Sequence, residues 1–431
     1  MAGTPAPGIL SRAIGAVGRA IHRLVHPQYA EEAQRARELS RLVERSLGEQ
    51  RTRVEQLREE VRDLRTAAGK AATRQELRGV DQSLQALVDA VGRQYRITTR
   101  ALRHMSWVEE QRLVERRLKR RLARMAAGDR PILIGPWSGE VGFELLYWIP
   151  FLTWAVRTAG LPPGRLVVLS RGGAEPWYGH LGARYLDLLS FFTPAEFRSG
   201  TEAAKKQWTM SPLDRRAVRR ATEAIGGQRP HLLHPGVMYR LFMPYWKAQA
   251  TRLRVEEFTT HAPIRVEPLP GLAARLPERY IAVRFYFSRA FPDTPDNRAF
   301  ARAVLAAVSA TGDVVLLGSP FRIDDHDDVR PEAGGRIHRV DDLMTPATNL
   351  AVQTAVIAGA RAFVGTYGGY AYLAPMLGVR ALAFHANQTF FAHHLDFARH
   401  VFREPGYGSL TVLDVQDLDL LREALSQEQP A

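Results

Sequence analysis

The first third of the chain has the apolar spacing of helices that pack along a seam. Residues 31–130 contain no proline, and their apolar positions step by three and four between charged flanks. The steps occur in two stretches: Val54, Leu57, Val61 and Leu64, then Leu77, Val80, Leu84, Leu87 and Val91. This spacing predicts a helical coiled coil over residues 31–130, either self-associating into a homo-oligomer or folded back as a hairpin.

A shorter amphipathic pattern precedes the seam. In residues 8–27 the apolar positions share one helical face, the arginines lie elsewhere, and Pro27 ends the pattern. The pattern predicts a basic amphipathic helix within residues 1–30. We expect residues 8–26 to lie on an anionic membrane surface. The alternatives are a helix packed on its own protein and a partly disordered tail.

Short apolar runs and helical patterns alternate from residue 131 to residue 262. Strands are predicted at residues 132–134, 166–169 and 231–234, and helices at residues 143–159, 185–192 and 238–250. Gly135, Gly139 and Gly142 form a glycine-rich loop after the first strand. We expect Pro150 to bend the helix that follows. The alternation predicts one α/β domain over residues 131–262.

A second alternating series follows a linker that contains four prolines between residues 263 and 277. Strands are predicted at 280–285, 314–317, 337–340, 362–365, 380–384 and 411–413, and helices at 297–310, 348–358, 370–377 and 417–425. Such alternation favours a parallel sheet with right-handed crossovers over residues 278–425. The predicted fold class is therefore α/β, with two Rossmann-like domains after a long helical coiled-coil region.

Composition excludes several classes of function for a protein with this fold. The 431 residues include no Cys, which excludes disulfides and thiolate chemistry and fits a reducing compartment. No apolar run approaches the roughly 20 residues of a membrane span, so we expect a cytoplasmic protein, peripheral to the membrane where residues 8–26 bind it. Residues 1–130 carry +11 of the net charge of +14. Aromatic residues are sparse there, so we expect no nucleic-acid partner.

A glycine turn between a predicted strand and a predicted helix is the main candidate for ligand binding. Gly365, Gly368 and Gly369 bracket Thr366 and Tyr367. The free amides and the dipole of a helix start favour phosphate, although a tight βα connection needs the same glycines without a ligand. The dinucleotide, P-loop and hydrolase motifs are missing from the sequence, so those functions lose their main support.

Three segments resemble the GT-B glycosyltransferases, and the resemblance covers residues 131–425. GFELLYWIPFL resembles the first loop of heptosyltransferases, AVRFYFSR resembles the arginine motif of heptosyl- and fucosyltransferases, and FVGTYGGYAYLAPMLGVRALAF resembles their donor-phosphate turn. The family usually has Asp where this chain has Glu144, and the turn departs from the family pattern at Tyr367 and Tyr370. The resemblance implies an acceptor domain at 131–262 and a nucleotide-sugar domain at 278–425. It also implies an inverting enzyme that needs neither a metal nor a cofactor.

Sugar transfer needs a base for the acceptor hydroxyl. Glu144 stands six residues before Pro150, as the heptosyltransferase acid does before its proline, and Glu140 is the rival candidate. An acid that interacts with the start of a helix is the structural alternative for Glu144.

Groups that hold the leaving diphosphate are the second requirement. Arg284 ends a predicted strand, where ligands bind in open α/β sheets, and Arg289 follows in the loop. The turn supplies the amides and one hydroxyl of its central residues: Thr366, Tyr367, Gly368 and Gly369. A surface ion pair is the alternative interpretation for each arginine, and it fits Arg289 better than Arg284. The acidic run at residues 324–328 favours a solvated loop over a metal site, so we expect no metal.

Two classes of function remain. The first is an inverting glycosyltransferase that moves a sugar from a nucleotide-diphosphate donor to a polysaccharide or glycolipid at the cytoplasmic membrane face. The second is a non-catalytic coiled-coil scaffold whose α/β part binds a ligand or partner. The first-loop acid and the strand-end arginine favour the enzyme.

Overall fold

The computed structural model describes residues 111–202, 207–323, 327–330, 334–387 and 392–417, with single helical positions between residues 45 and 93. The chain divides into two compact units, residues 1–113 and residues 114–431. The predicted helix at residues 8–26 and the two predicted seams lie outside the described residues, and both stay predictions. No helix in the described ranges is long and apolar enough to cross a membrane.

Helix α1, residues 111–127, is formed by the basic run that precedes the first strand. Leu118, Leu122 and Met125 are spaced by four and three residues and are buried in the main core. Arg165 donates hydrogen bonds to the carbonyl oxygens of Met125 at 2.7 Å and Ala126 at 3.3 Å. These bonds satisfy acceptors that the end of a helix leaves open, so α1 is fixed at its C-terminus.

The first lobe, residues 131–262, contains a sheet of four parallel strands. In chain order the strands are β1 Ile132–Ile134, β2 Leu166–Ser170, β3 Arg184–Asp187 and β4 His231–Leu233. The spatial order is β3-β2-β1-β4. Strands β1 and β2 are buried along their whole length, as apolar strands covered on both faces are. The helices of the lobe are α2 Val141–Phe143, α3 Ile149–Ala159, α4 Glu175–Tyr178, α5 Pro194–Glu202, α6 Pro212–Ala224, α7 Gly236–Trp246 and α8 Leu253–Glu256.

Two predictions for this lobe are wrong in detail. The predicted helix at residues 185–192 is strand β3 followed by a 3-10 turn, because its residues pair in register with β2. The predicted helix at residues 143–159 lies in one continuous helical run, but its first turn is a π turn at Glu144–Trp148 between α2 and α3. Pro150 has no N–H for the carbonyl oxygen of Leu146, four residues earlier, and His261 Nε2 lies 3.0 Å from that oxygen instead.

The second lobe, residues 278–417, contains a sheet of six parallel strands and a short antiparallel ribbon. In chain order the strands are β5 Tyr280–Arg284, β6 Tyr286–Phe287, β7 Asp313–Leu316, β8 Asp327–Asp328, β9 Ile337–Arg339, β10 Ala362–Thr366, β11 Arg380–His385 and β12 Leu410–Asp414. The main sheet has the order β9-β7-β5-β10-β11-β12, and β6 pairs with β8. This order is the doubly wound pattern that the alternation predicts.

Three helices of the second lobe lie where the sequence predicts them: α9 Pro295–Thr311, α10 Asn349–Gly359 and α11 Gly369–Met376. A fourth, α12 Ala392–Val401, is not predicted from the sequence. The predicted closing helix at residues 417–425 lies almost wholly outside the described residues. The six predicted strands of this lobe are confirmed to within one or two residues. Most are short apolar runs bounded by glycine or charge, whereas β9 is Ile337-His338-Arg339.

The two lobes share an apolar interface. Tyr147 stacks on Phe397 of α12 with ring centroids 5.5 Å apart, and its hydroxyl lies 2.6 Å from His394 Nδ1. Trp177 donates its indole N–H to Thr354 Oγ1 at 3.0 Å. Residues of both lobes belong to one buried core, so the carboxyl edges of the two sheets are brought together.

Candidate functional site

Each sheet has a point at which the strand order reverses. In the first lobe this point lies between β1 and β4, and in the second lobe between β5 and β10. The loop that leads to Glu140 follows β1, Arg284 ends β5, and Thr366 ends β10. Open α/β sheets bind ligands outside the carboxyl ends of strands at such reversals. The predicted site residues therefore lie at the edges where a ligand is expected.

Glu144 lies beneath the first-lobe edge with 0% of its surface exposed. Its Oε1 accepts hydrogen bonds from Ser170 Oγ at 2.6 Å and from the Tyr178 hydroxyl at 2.5 Å. Its Oε2 accepts from Arg171 Nη1 at 3.3 Å. Burial raises the pKa of Glu144, and the charge of Arg171 with these hydrogen bonds opposes that rise. Both carboxylate oxygens are engaged inside the protein, and neither faces solvent.

Glu140 has the opposite surroundings. It is exposed at the junction between the loop and α2, its backbone is extended, and its side chain caps no amide of the helix. The nearby ring of Tyr239 is buried, which raises the pKa of that phenol, and the negative charge of Glu140 raises it further. Tyr239 therefore stays protonated at neutral pH. The carboxylate of Glu140 is the one first-loop candidate that solvent reaches.

Arg284 is in an ion pair, but the pair is buried and is not the surface pair of the alternative interpretation. It is 5% exposed, and its Nε donates to Asp328 Oδ1 at 2.9 Å. Its Nη1 donates to Gln353 Oε1 at 3.2 Å. The guanidinium also lies over the Tyr370 ring, 4.2 Å from the centroid. Its charge is therefore balanced by Asp328 while one face lies against the first turn of α11.

The two side chains at the centre of the glycine turn are used inside the second lobe. Thr366 is fully buried, and its Oγ1 exchanges hydrogen bonds with the backbone N–H and carbonyl oxygen of Tyr286, both at 3.0 Å. The hydroxyl of Tyr367 lies 2.6 Å from the hydroxyl of Tyr372. Burial raises the pKa of Tyr367 to about 12. The Tyr367 amide donates to the Phe384 carbonyl oxygen at 2.8 Å, so the candidate donors of the turn for a ligand are the amides of Gly368 and Gly369.

Gly368 and Gly369 bring the turn against its neighbours. Gly368 is the N-cap of α11, and no side chain caps the helix there. A methyl group on Gly368 would overlap the hydroxyl oxygen of Tyr286. A methyl group on Gly369 would lie 2.7 Å from Val141 Cβ and 2.9 Å from the amide nitrogen of Gly142. The start of α11 in the second lobe thus touches the start of α2 in the first lobe.

Two further predicted features lie near the second-lobe edge. Arg289 is exposed in the loop after β6. Asp328, at the end of the acidic run, is buried in the pair with Arg284 and accepts a hydrogen bond from the Ser319 amide at 2.8 Å. The interpretation of the run as a solvated loop is therefore wrong for Asp328. Within the ranges that the structure describes, no group of three or more His, Asp or Glu residues is placed to hold a metal ion.

Two residues of the site, Arg171 and Gln207, are not predicted from the sequence, and for a third, Asp328, the predicted role is wrong. Arg171 directly follows β2 as Arg284 closes β5, so the strand-end signal used for Arg284 also identifies it. Asp328 lies in a run of acidic residues, and nothing in the sequence distinguishes it from its neighbours. Gln207 bonds the loop after β1 from a distant segment, and no local pattern marks it.

Comparisons with known proteins give weak likenesses. No protein-family model and no curated protein matches the chain. Among solved structures, a family 9 glycosyl transferase from Veillonella parvula is 12% identical with a TM-score of 0.39, covering 71% of this chain and 92% of its own. The E. coli ADP-heptose lps heptosyltransferase II is 14% identical with a TM-score of 0.38, covering 70% and 100%. An E. coli heptosyltransferase with ADP is 13% identical with a TM-score of 0.37, covering 69% and 100%. Scores at this level do not by themselves establish a family or an activity.

Proposed function

We propose that the protein is a glycosyltransferase that uses a nucleotide-diphosphate sugar. One observation carries the proposal: the start of α2, which Glu140 precedes, touches the start of α11, whose amides follow the glycine turn. Group transfer between two substrates needs a base on one side and a diphosphate clamp on the other. The contact between the two helix starts supports that division of work between the lobes.

Glu140 is the general base in this proposal. Its carboxylate takes the proton of an acceptor hydroxyl while the oxygen attacks the anomeric carbon. The bond from that carbon to the diphosphate breaks, and the diphosphate leaves with the electron pair. Solvent exposure supports Glu140 over Glu144, because a base must come within hydrogen-bond reach of its substrate. Glu144 instead forms a buried ion pair with Arg171, which links the π turn to the end of β2.

The donor diphosphate is assigned to the turn and to the arginines of the second lobe. The amides of Gly368 and Gly369 and the dipole of α11 favour an anion. Arg284 lies against the same helix turn through Tyr370, and Arg289 is exposed in the next loop. An anion that draws Arg284 away from Asp328 has to replace a buried ion pair, so we expect donor binding to reorganise β8.

The finer details rest on the sequence. Residues 362–384 contain no Asp or Glu, which supports an inverting mechanism without a nucleophile beside the donor turn. We propose a polysaccharide or glycolipid acceptor at the cytoplasmic membrane face, because residues 8–26 form a basic amphipathic pattern. We propose self-association through residues 31–130. Vesicle flotation with and without residues 1–30, and sedimentation with and without residues 1–110, test these two points.

The experiment is a screen of UDP-, GDP- and ADP-sugars by saturation-transfer NMR, followed by transfer assays on two matched variants. Glu140→Gln and Glu144→Gln each replace a carboxylate by an amide of the same shape. We expect Glu140→Gln to slow transfer by about 10²–10⁴, the usual worth of a positioned base, with donor affinity retained.

The comparison between the variants assigns the base. Transfer that falls in Glu144→Gln, while Glu140→Gln keeps wild-type rates and both stay folded, moves the base to Glu144. A wild-type protein that binds donor but never transfers is the non-catalytic binding module. Binding of none of the nucleotide sugars rejects the enzyme.

A further inference from the structure

A buried polar network holds the loop that leads to Glu140. Gln207 is 1% exposed and bonds the loop at two points. Its Oε1 accepts from the Ser138 amide at 3.0 Å, and its Nε2 donates to the Pro136 carbonyl oxygen at 2.8 Å. The same Nε2 donates to Asp214 Oδ1 at 3.1 Å. The Gln207 side chain therefore holds the loop backbone at both Pro136 and Ser138.

Asp214 fixes Gln207 in turn. It is 1% exposed and forms a capping box with Ser211 at the start of α6, accepting from the Ser211 amide at 2.7 Å. His234, directly after β4, accepts the Gly236 amide at Nδ1 at 3.0 Å. Its proton is therefore on Nε2, which lies 3.4 Å from Asp214 Oδ2. The network ties the end of β4 and the start of α6 to the loop after β1.

The pairing leaves Gln207 with one orientation. Its amide nitrogen faces two acceptors and its oxygen faces one donor, so a flipped amide would lose all three bonds. Buried polar groups that are fully satisfied rigidify their surroundings, whereas a partly satisfied network is costly. The segment from Pro136 to Glu140 lies between the end of β1 and the start of α2. The Trp137 amide donates to the Leu169 carbonyl oxygen of β2 at 2.9 Å, and after that residue Gln207 holds the backbone through Ser138.

We propose that Gln207 is a positioning residue that sets the Glu140 carboxylate against the donor turn. This inference rests on the proposed function. Gln207 touches no reacting atom, and it acts by holding Ser138, two residues before Glu140. Displacing a catalytic group by about 1 Å can cost about 10²-fold in rate, so loop placement affects kcat. The donor amides lie in the other lobe, so KM for the donor is expected to stay unchanged.

The test uses the full chain and three variants. Gln207→Met keeps the length of the side chain and removes all three bonds. Gln207→Glu keeps the acceptor for Ser138 but places a second carboxylate beside Asp214. Gln207→Glu with Asp214→Asn exchanges carboxylate and amide, which restores the bond between positions 207 and 214. Gln249→Met, at an exposed glutamine of the same lobe, is the matched control.

We expect kcat to fall about 10–100-fold in Gln207→Met, with KM for the donor within about twofold of wild type. The exchange variant should recover part of the loss seen in Gln207→Glu, and Gln249→Met should match wild type. A folded Gln207→Met with wild-type kcat overturns the inference. A rise in KM for the donor as large as the fall in kcat also overturns the inference, because that pattern indicates a defect that is not confined to the loop.

If transfer is never observed, or if Gln207→Met does not fold, amide hydrogen exchange still tests the inference. In Gln207→Glu, loss of the bond to the Pro136 carbonyl oxygen and repulsion by Asp214 should loosen the loop, so exchange at residues 137–140 should be about tenfold faster than in wild type. Exchange in β10 and α11 should not change. A wild type without any transfer then rejects the proposed function alone, whereas unchanged exchange at residues 137–140 rejects the positioning role alone.

Discussion

The carboxyl edges of the two sheets are held in place by different means. In the first lobe, side chains do it: Gln207 bonds the loop after β1, and Glu144 bonds Arg171 beneath the edge. In the second lobe, the side chains of Arg284 and Thr366 do part of it, and close approach at glycines does the rest. A methyl group on Gly365 would overlap the carbonyl oxygen of Arg284, and one on Gly368 would overlap the Tyr286 hydroxyl.

The difference shows which substitutions each edge tolerates. A side-chain network can lose one bond and keep its backbone, so changes in the first lobe should alter rates before they alter folding. An edge built on glycine contacts has no side chain to trim, and any added atom must displace backbone or a ring. The second lobe contains one charged exception, the pair of Arg284 and Asp328.

The ion pair should dominate the stability of the second edge. Arg284→Met removes the buried partner of Asp328, whose side chain is 6% exposed. The carboxylate keeps the Ser319 amide and the partly exposed Arg330, whose Nη2 lies 3.8 Å from Asp328 Oδ2. Removing one partner of a buried pair typically costs about 3–5 kcal/mol. We expect the free energy of unfolding to fall by that amount in urea denaturation.

The double variant Arg284→Met with Asp328→Asn is the control for this prediction. It removes both charges, so no buried carboxylate remains and much of the loss should be regained. An unfolding midpoint in Arg284→Met equal to that of wild type would contradict the prediction. It would also mean that the pair does not stabilise the fold and that the role of Arg284 is ligand binding alone.

Gly368→Ala tests the close approach at the turn. The backbone of Gly368 is extended, with φ 164°, so the added methyl meets crowding by Tyr286 rather than backbone strain. Overpacking of this kind costs about 1–3 kcal/mol. Gly312→Ala is a matched control, because Gly312 is also extended, with φ 178°, and has open space around its Cα.

Tyr286→Phe combined with Gly368→Ala identifies the overlapping atom. The phenylalanine removes the hydroxyl oxygen that the methyl would strike, so the double variant should be more stable than the sum of the single variants predicts. Additive losses would mean that the turn itself, and not Tyr286, requires glycine at this position.

The sequence predicts the second lobe better than the first. Apolar runs such as those of β10 and β11 are bounded by glycine and charge, so their type and limits follow from local pattern. In the first lobe, residues 185–192 contain enough leucine to suggest a helix, and only pairing with β2 makes Arg184–Asp187 a strand. The π turn at Glu144–Trp148 depends on tertiary contacts that a local helical pattern does not contain.

For the site, the sequence identifies which residues lie at the ends of strands, but not which side chains they contact. Strand ends are local features, so Arg284 and the turn at Thr366–Gly369 are located correctly at the second-lobe edge. Burial is not local: nothing near Glu144 in sequence indicates that Ser170, Arg171 and Tyr178 will enclose it. The choice between Glu140 and Glu144 therefore needs the structure.

The smallest expected effect concerns the π turn, where the first lobe uses a histidine as well as a carboxylate. His261 Nε2 lies 3.0 Å from the Leu146 carbonyl oxygen in that turn. Burial lowers the pKa of His261 to about 4, with a smaller contribution from His400, and the bond to Leu146 opposes the shift. A histidine in the unfolded chain has a pKa near 6.5, so between about pH 4 and 6.5 the unfolded state binds the proton first.

Stability from His261 is therefore complete above about pH 6.5 and is lost as the pH falls towards 4. After allowance for partial exposure, we expect the loss to be about 1–2 kcal/mol. His261→Gln retains a donor for the Leu146 carbonyl but cannot titrate. Urea denaturation at several pH values between 4 and 7 should show a flatter dependence of the unfolding free energy in this variant. An unchanged slope would assign the acid sensitivity to other groups, and the π turn would then depend on Glu144 and its partners alone.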